Sequence, residues 1–392
     1  MARAYESVAL VSPATVPYRR YSEHGAVWFL GSAFRQAIHA AGVPKGDIDG
    51  LTVSSYSLAP DTAISLADHF GMTLRWVDHV PMGGASGVIA LRRAARAIQA
   101  GDAQIVACLA GDTLQKGMFR DLLANFSRAT KDAVHPYGVG GANAVFAMIT
   151  RAYMDRFGAI REDFGRICIA QRENARHNPL ALLRDPLSLE SYIAARPIAE
   201  PLHLYDCVMP CAGAEAFIVM AEIRALRLGL RYATILATDE RHNAFPLDDV
   251  QLRGGWAAFR DNLYDQAGLG PEDMNFVQAY DDYPVIVLLQ LEDLGFCAKG
   301  DGPCFLRRTN FTCSGGGLPL NSCGGQLSAG QAGFAGGFLG TVEAIRQLTG
   351  QCLGAPVPEA IHGIVSGYGM AIYDRGLCCA SAILRRGRYH QR

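Results

Sequence analysis

The sequence has little that would tie the protein to a membrane, a nucleic acid or a secretory route. Apolar runs such as residues 285–289 fall far short of the roughly 20 apolar residues that a membrane-spanning helix needs. The N-terminal segment lacks the long apolar core of a signal peptide. Lys and Arg number 36 against 37 Asp and Glu, so there is no overall basic charge to attract nucleic acid. We therefore expect a cytoplasmic protein.

The sequence also lacks the common metal-binding motifs. No CxxC pair and no HExxH motif occurs, and the 10 histidines never cluster at ligand spacing, so we predict no metal site. The 11 cysteines are an odd number and include the adjacent pair Cys378 and Cys379. This pattern is typical of a reduced intracellular chain rather than of a disulfide framework.

What the sequence does contain is an internal repeat. The segment AGVPKGDIDGLTVSSY at 41–56 returns as AGLGPEDMNFVQAYDDY at 267–283, in a register that matches Asp47 with Asp273 and Ser54 with Tyr280. At 392 residues, half of them hydrophobic, the chain is long enough for two domains or a fused double domain. The repeat indicates two copies of one unit.

Both copies run through the same order of elements. A short β-rich run comes first, then a helical stretch, a glycine-rich turn, a long helix and another strand. The turns are GGASG before residues 88–100 and SCGGQLSAGQAGFAGG before residues 338–348. Alternating strands and helices predict an α/β fold, with a mixed or mostly parallel sheet covered on both faces and two such units about a pseudo-two-fold axis.

The predicted division is an N-terminal half, 1–230, and a C-terminal half, 231–392. Residues 111–229 are predicted to be an insertion in the first half. The insertion contains two helical stretches and a proline-punctuated segment, which we interpret as a lid or cap because long loops on rigid elements often carry function.

Two longer motifs resemble the sterol-carrier-protein type of thiolase, within the thiolase superfamily. They are RPIAEPLHLYDC at 196–207 and LPLNSCGGQLSAG at 318–330, and the resemblance covers essentially the whole chain. It implies the thiolase fold, in which duplicated units form α/β/α/β/α layers. It also implies a homodimer and a coenzyme A thioester as substrate, with no bound cofactor.

The chain departs from that family at the positions that carry its chemistry. Matching VPMGGASG at 80–87 to the thiolase pattern places Gly84 at the position of the nucleophilic cysteine, so no acyl-enzyme can form there. Gln331 stands at the position of a conserved histidine, and Tyr368 lies in the turn that supplies the acid/base cysteine. Glycine, tyrosine and amide at these positions favour a changed reaction over a decayed enzyme.

The replacements resemble those of the steroid side-chain retro-aldolases, which also lack the nucleophilic cysteine. The shared features are Tyr-Asp-Asp-Tyr at 280–283 and LLQLEDLGFC at 288–297. The resemblance implies cleavage of a β-hydroxyacyl-CoA, in which a base takes the hydroxyl proton and backbone amides hold the thioester enolate. We predict Tyr280 as base or acid; as a base it needs a lowered pKa. Asp281 or Asp282 could orient it or share its proton.

Other candidates complete the predicted site. Backbone amides at Gly84 and Gly325 are the predicted oxyanion site, because helix starts bind anions through free N–H groups. Known retro-aldolases carry a second tyrosine where this chain has Gln331, so Tyr368 and His135 are candidates to compensate. For the coenzyme A phosphates we predict a set of cations in the insertion: Arg176, Arg184 and Arg196.

Two other functions stay open on the sequence. One is a thiolase or C-acyltransferase that uses another cysteine, Cys323 in the Asn-Ser-Cys-Gly-Gly loop. The other is a non-catalytic subunit that binds acyl-CoA. The acyl group, whether steroid, aromatic or aliphatic, is not fixed by any motif. The family resemblance further implies a small partner built of a zinc ribbon and an oligonucleotide-binding-type barrel.

Overall fold

A computed structural model describes residues 5–125 and 128–388, in which strands and helices alternate along the chain. The strands are β1 (Val8–Arg19), β2 (Gly50–Ser54), β3 (Trp76–His79), β4 (Ile105–Asp112), β5 (Pro197–Ala199), β6 (Leu202–His203), β7 (Ala212–Ala221), β8 (Ala233–His242), β9 (Phe276–Ala279), β10 (His362–Ile372) and β11 (Arg375–Arg386). The helices are α1 (Ala26–Ala41), α2 (Ala63–His69), α3 (Ser86–Ala100), α4 (Met118–Asn125), α5 (Lys131–Val134), α6 (Gly141–Phe157), α7 (Arg161–Ala175), α8 (Leu189–Ile193), α9 (Glu222–Arg227), α10 (Trp256–Ala267), α11 (Pro284–Asp293), α12 (Gly302–Arg308), α13 (Gly325–Ala329) and α14 (Gly336–Thr349).

The main sheet repeats one arrangement of strands twice. Its order is β3-β2-β4-β7-β1-β8-β11-β10-β9. In the first half β2 and β4 are parallel, and β7 is antiparallel to both β4 and β1. In the second half β9 and β10 are parallel, and β11 is antiparallel to both β10 and β8. The halves join where Ala9 and Leu10 pair with β8. The predicted duplication of βαβ units is thereby confirmed.

Local details keep the same register in both copies. The helices α1 and α10 both end at a glycine in the left-handed conformation, Gly42 and Gly268, which only glycine adopts without strain. Each is followed by a single 3₁₀ turn that ends in an aspartate, Asp47 in one copy and Asp273 in the other. Because the turns match, the strands β2 and β9 begin at equivalent points.

The helices form three layers around the two halves of the sheet. Between the halves of the sheet, α3 and α14 pack together, and Val88 and Phe338 lie in one core with Phe217 of the first half and Val365 of the second. The helix α1 covers the outer face of the first half, and α10 and α11 cover that of the second. This is the predicted α/β/α/β/α arrangement. It brings the N-terminal ends of α3 and α14 together in the middle layer.

The insertion is shorter than the predicted span of 111–229. The strand β7 lies inside that span, yet it pairs with β4 and β1 in the centre of the sheet. Its run AGAEAFIVMA is buried along almost its whole length, as expected of a strand covered on both faces. The insertion therefore ends before Ala212 and contains α4 to α8 with the small β5–β6 pair.

Among the residues that the structure describes, no helix combines the length and the apolar character that a membrane span requires.

The carboxyl of Glu215 makes the stability of this core depend on pH. Glu215 is buried in β7 and accepts a hydrogen bond from Thr15 Oγ1 at 2.7 Å, and burial raises its pKa to about 8. An unfolded glutamate has a pKa of about 4.3, so the folded state holds the proton more tightly and stability falls as pH rises from about 5 to about 8.

We predict that Glu215→Gln removes this loss. Chemical denaturation measures the free energy of unfolding at pH 5 and at pH 9. Between these two pH values, the free energy of unfolding of the variant should rise by about 2–4 kcal/mol relative to that of the wild type. Glu272→Gln, at an exposed position, is the control. A difference between the Glu215 variant and the wild type that does not change with pH would contradict the assignment.

Candidate active site

Three segments of the second half close on the turn before α3. A Cβ added to Gly337, at the start of α14, would lie 2.7 Å from the carbonyl oxygen of Gly83 and 2.9 Å from Gly84 Cα. One added to Gly367 of β10 would lie 2.8 Å from Gly84 O. Such distances are too short for any side chain, so only glycine permits the approach. Gly84 is therefore enclosed by backbone of the second half.

The third segment, which carries Tyr280, places an aromatic ring where the side chain of a nucleophile at position 84 would lie. A Cβ at Gly84 would overlap Cε2 and Cζ of Tyr280, as well as the carbonyl oxygen of Tyr368. The ring of Tyr280 thus occupies the volume that a cysteine side chain would need at this position. The structure brings these two predicted site residues into direct contact, with no room for an acyl group on residue 84.

Ser86, two residues further on, has a structural role. Its hydroxyl donates to Val80 O at 2.9 Å and accepts from Met82 N at 3.1 Å. These bonds fix the turn that carries Gly84 and leave the hydroxyl fully engaged. The hydroxyl thus ties down the turn that precedes α3 and does not cap the helix, whose N-cap residue is Ala85 and which has no side-chain cap hydrogen bond.

Tyr280 is held in place by two side-chain amides of α11 and α13 and by a third in the following loop. Its backbone N–H donates to Gln290 Oε1 at 3.1 Å, and its carbonyl accepts from Gln290 Nε2 at 2.7 Å. Gln331 and Gln326 hydrogen-bond the hydroxyl and act to lower its pKa. Burial is the larger effect, and with the charge of Asp282 it raises the pKa well above its ordinary value. Tyr280 is therefore a neutral phenol, and the lowered pKa that a tyrosinate base needs is not found.

The two aspartates that follow have different surroundings. Asp281 accepts the N–H groups of Gln326 at 2.9 Å and Leu327 at 3.2 Å, so it caps α13, while burial raises its pKa to about 7. Asp282 Oδ1 is buried and has no hydrogen-bond partner among the described residues. Burial, and then the charge of Asp281, raises the pKa of Asp282 well above the usual aspartate range.

The amides at the start of α13 are already occupied. The Gly325 N–H faces the thiol of Cys323, and the next two amides serve Asp281. An oxyanion at Gly325 would have to displace these bonds, so the prediction at Gly84 is the better placed of the two. Burial raises the pKa of Cys323 well above its ordinary value, which disfavours the thiolate that a nucleophile requires.

The candidates for a second acid or base lie apart from this contact. Tyr368 is buried; its hydroxyl donates to Gln251 Oε1 at 2.5 Å and its ring stacks on Trp256. His135 is exposed and lies beside Gly140 within its own loop. The structure thus joins Gly84, Tyr280 and Gln331 but does not bring the Tyr368 hydroxyl or His135 to them. Catalytic roles for the last two stay predictions.

The predicted phosphate-binding arginines lie on the surface of the insertion. Arg176 forms an ion pair with Glu173 at 2.9 Å, whereas Arg184 and Arg196 are exposed. A cation already paired three residues away on the same helix is less available to a phosphate. Phosphate binding by the three arginines stays a prediction.

Sequence reasoning named Gln331 but missed the other two glutamines beside Tyr280, Gln290 and Gln326. Gln290 is fully buried and bonds Tyr280 through both its amide atoms. The signal was a single amide within the otherwise apolar start of α11, PVIVLLQ. A buried amide in such a helix needs partners, and here the partners are the backbone atoms of the candidate catalytic residue.

Comparisons with known proteins agree with this geometry. Residues 249–381 match the family described as thiolase C-terminal domain-like. The chain is 30% identical to the steroid side-chain-cleaving aldolase of Thermomonospora curvata, over 89% of this chain and 92% of that protein. It is also 30% identical to the 17-hydroxy-3-oxo-4-pregnene-20-carboxyl-CoA lyase of Mycobacterium tuberculosis, over 91% of this chain and 95% of that one. The solved structure of the Ltp2-ChsH2(DUF35) aldolase superposes with a TM-score of 0.84 at 27% identity, covering 97% and 98% of the two chains.

Proposed function

The chain belongs to the thiolase superfamily, and from this premise we propose that it is a carbon–carbon lyase that cleaves a β-hydroxyacyl-CoA by a retro-aldol reaction. The observation that carries the proposal is the ring of Tyr280 in the space where a nucleophile at position 84 would stand. A thiolase that forms an acyl-enzyme needs that space. A retro-aldol cleavage does not, because no bond forms between protein and substrate.

The chemistry requires three things of the site. The β-hydroxyl must lose its proton as the Cα–Cβ bond breaks, the thioester enolate must be stabilised, and Cα must then gain a proton. Tyr280 lies against Gly84 and presents a phenol hydrogen-bonded by amides. Backbone N–H groups at the start of α3 are suited to the enolate oxygen because of the helix dipole. The exposed arginines of the insertion are the candidates for the coenzyme A phosphates.

The proposal is tested by product analysis. The purified protein is incubated with a β-hydroxyacyl-CoA, and both the reaction mixture and the intact protein are examined by mass spectrometry. A ketone or aldehyde together with the shortened acyl-CoA, and no mass added to the protein, is the expected result. An acyl adduct on a cysteine would instead establish a thiolase, and binding without turnover would establish a non-catalytic subunit.

The relatives suggest both a first substrate and a first partner. One is named for a steroid-derived CoA ester and another is solved as a complex with a DUF35 protein. We therefore propose a tertiary β-hydroxyacyl-CoA of steroid type as the first substrate to test. Assays should be run with and without a DUF35-type protein, and the oligomeric state of each preparation should be measured to test the expected homodimer and hetero-oligomer.

The rival use of Cys323 leads to a separate prediction. Because the thiol is buried and its pKa is raised, we expect Cys323→Ala to keep kcat within about 3-fold of the wild type, with a loss of stability of about 1 kcal/mol for the lost packing. Steady-state kinetics and thermal unfolding measure the two quantities. Complete loss of turnover in a folded variant would instead favour the alternative function, a thiolase or C-acyltransferase that uses Cys323.

A further inference from the structure

The helix α6 of the insertion lies along α11, the helix that follows the loop at 280–283. Tyr283 immediately precedes α11, and its hydroxyl donates to Asn143 Oδ1 in the first turn of α6 at 2.5 Å. Near the other ends of the same two helices, the hydroxyl of Tyr153 donates to Glu292 Oε1. The two bonds are separated by almost the same number of residues on each helix, so the helices run parallel and are joined at both ends.

Two donors converge on the same oxygen of Asn143. Besides the Tyr283 hydroxyl, the thiol of Cys207 donates to Asn143 Oδ1 at 3.9 Å. Burial raises the pKa of Tyr283 well above its ordinary value, so its hydroxyl keeps the proton that it donates. Asn143 is only partly buried, and these two donors hold its side chain in one orientation, with the oxygen toward Tyr283.

Phe146, one turn further along α6, contacts both segments that enclose Gly84. Its ring stacks on that of Tyr283, with 4.1 Å between the centroids and 23° between the planes. It also lies 6.1 Å, centroid to centroid, from the ring of Tyr368. Tyr283 ends the loop that begins with Tyr280, and the carbonyl oxygen of Tyr368 lies against Gly84. The helix α6 therefore supports the contact between Tyr280 and Gly84 from two sides.

Three different elements anchor the loop at 280–283. Gln290 of α11 bonds the backbone of Tyr280, and the backbone amides at the start of α13 bond Asp281. The third anchor, at Tyr283, comes from the insertion. Tyr283 is the N-cap residue of α11, but its side chain makes no cap hydrogen bond to that helix. Its hydroxyl therefore serves the contact with Asn143.

We propose that Asn143 is a positioning residue for the retro-aldol step, acting through Tyr283 to keep Tyr280 in place against Gly84. This inference rests on the proposed function and deepens it, because it gives the insertion a part in the chemical step itself. Without the bond, Tyr283 is held by ring stacking alone, and the loop can displace Tyr280. A displacement of about 1 Å of a catalytic group lowers a rate by about 100-fold.

The test is a double-mutant cycle on kcat with the β-hydroxyacyl-CoA. Asn143→Ala and Tyr283→Phe each remove the same bond, so we expect each to lower kcat by about 10- to 100-fold. The dissociation constant for the substrate should stay within about 3-fold of the wild type, and the double variant should be no slower than the slower single variant. Asn143→Asp keeps an acceptor oxygen and should recover most of the lost kcat.

Two comparisons separate positioning from a general loss of structure. Tyr153→Phe removes the matching bond more than two turns away along α11, so it should lower the melting temperature while kcat stays within about 3-fold of the wild type. In a Tyr280→Phe background, Asn143→Ala should lower kcat by less than about 2-fold, because the hydroxyl that it positions is gone.

Wild-type kcat in both Asn143→Ala and Tyr283→Phe overturns the inference, and so does an equal loss from Asn143→Ala with and without the Tyr280 hydroxyl. If Asn143→Ala does not fold, Tyr283→Phe, which keeps the stacked ring, makes the same comparisons. The proposed function fails separately. If the wild type releases no ketone or aldehyde, that function is wrong; if it does and the variants match its rate, only the role of Asn143 is wrong.

Discussion

Replacing Tyr280 with phenylalanine is expected to lower kcat by about 100- to 10,000-fold, the usual contribution of a positioned acid or base. The variant loses one hydroxyl and keeps the ring that fills the space at Gly84. Packing around the turn before α3 should therefore be preserved. Steady-state kinetics on the β-hydroxyacyl-CoA measure the loss, and thermal unfolding checks that the fold remains.

Substrate binding separates a chemical role of Tyr280 from a structural one. We expect the dissociation constant for the substrate, measured by calorimetry with Tyr280→Phe, to stay within about 10-fold of the wild type, since one uncharged hydrogen bond contributes about 1 kcal/mol. Tyr137→Phe, at a tyrosine that is 84% exposed, is the matched control and should behave as wild type. A Tyr280→Phe variant that turns over at the wild-type rate would remove Tyr280 from the mechanism.

Adding a single methyl group at Gly84 is expected to have the second large effect. The Cβ of Gly84→Ala would overlap the ring of Tyr280 and the carbonyl oxygen of Tyr368, so the loop at 280–283 or the strand β10 must shift. We predict a fall in kcat/KM of at least about 100-fold, because misplacing a catalytic group by about 1 Å costs that much. Overpacking should also lower the free energy of unfolding by about 1–3 kcal/mol.

The cause can be isolated with a double-mutant cycle. Gly46→Ala is the control, because a Cβ there meets nothing within 4 Å. In a Tyr280→Ala background the ring is gone, so Gly84→Ala should cost clearly less stability than it does in the wild type. Equal costs in the two backgrounds would show that the ring of Tyr280 is not what excludes a side chain at position 84.

The architecture could be predicted from the sequence largely because the chain contains it twice. Matching Asp47 with Asp273 fixed the register of two distant segments, and the structure gives both the same turn and the same strand order. The C-terminal end of the insertion was predicted too far along the chain, at residue 229 instead of before Ala212. The strand β7 has no motif of its own, and an apolar run alone does not say whether it joins a sheet.

The site could be predicted in position but only partly in chemistry. Aligned motifs predicted that Gly84, Tyr280 and Gln331 meet, and they do. Protonation could not be read from the same motifs, because it depends on burial by residues far away in the chain. Thus Tyr280 was predicted to need a lowered pKa, whereas its enclosure raises it. Similarly, the Tyr368 hydroxyl turned out to be bound by Gln251, more than 100 positions earlier in the sequence.

The contact between Gly84 and Tyr280 has a consequence for evolution. A cysteine restored at position 84 would collide with the tyrosine, and a smaller residue placed first at position 280 would remove the phenol while no nucleophile is present. If Tyr280 has the proposed catalytic role, each single step leads to an inactive intermediate, so the two positions are expected to be coupled by epistasis. On the proposed mechanism, no path of single substitutions at these two positions leads to acyl-enzyme chemistry at position 84 without loss of activity on the way.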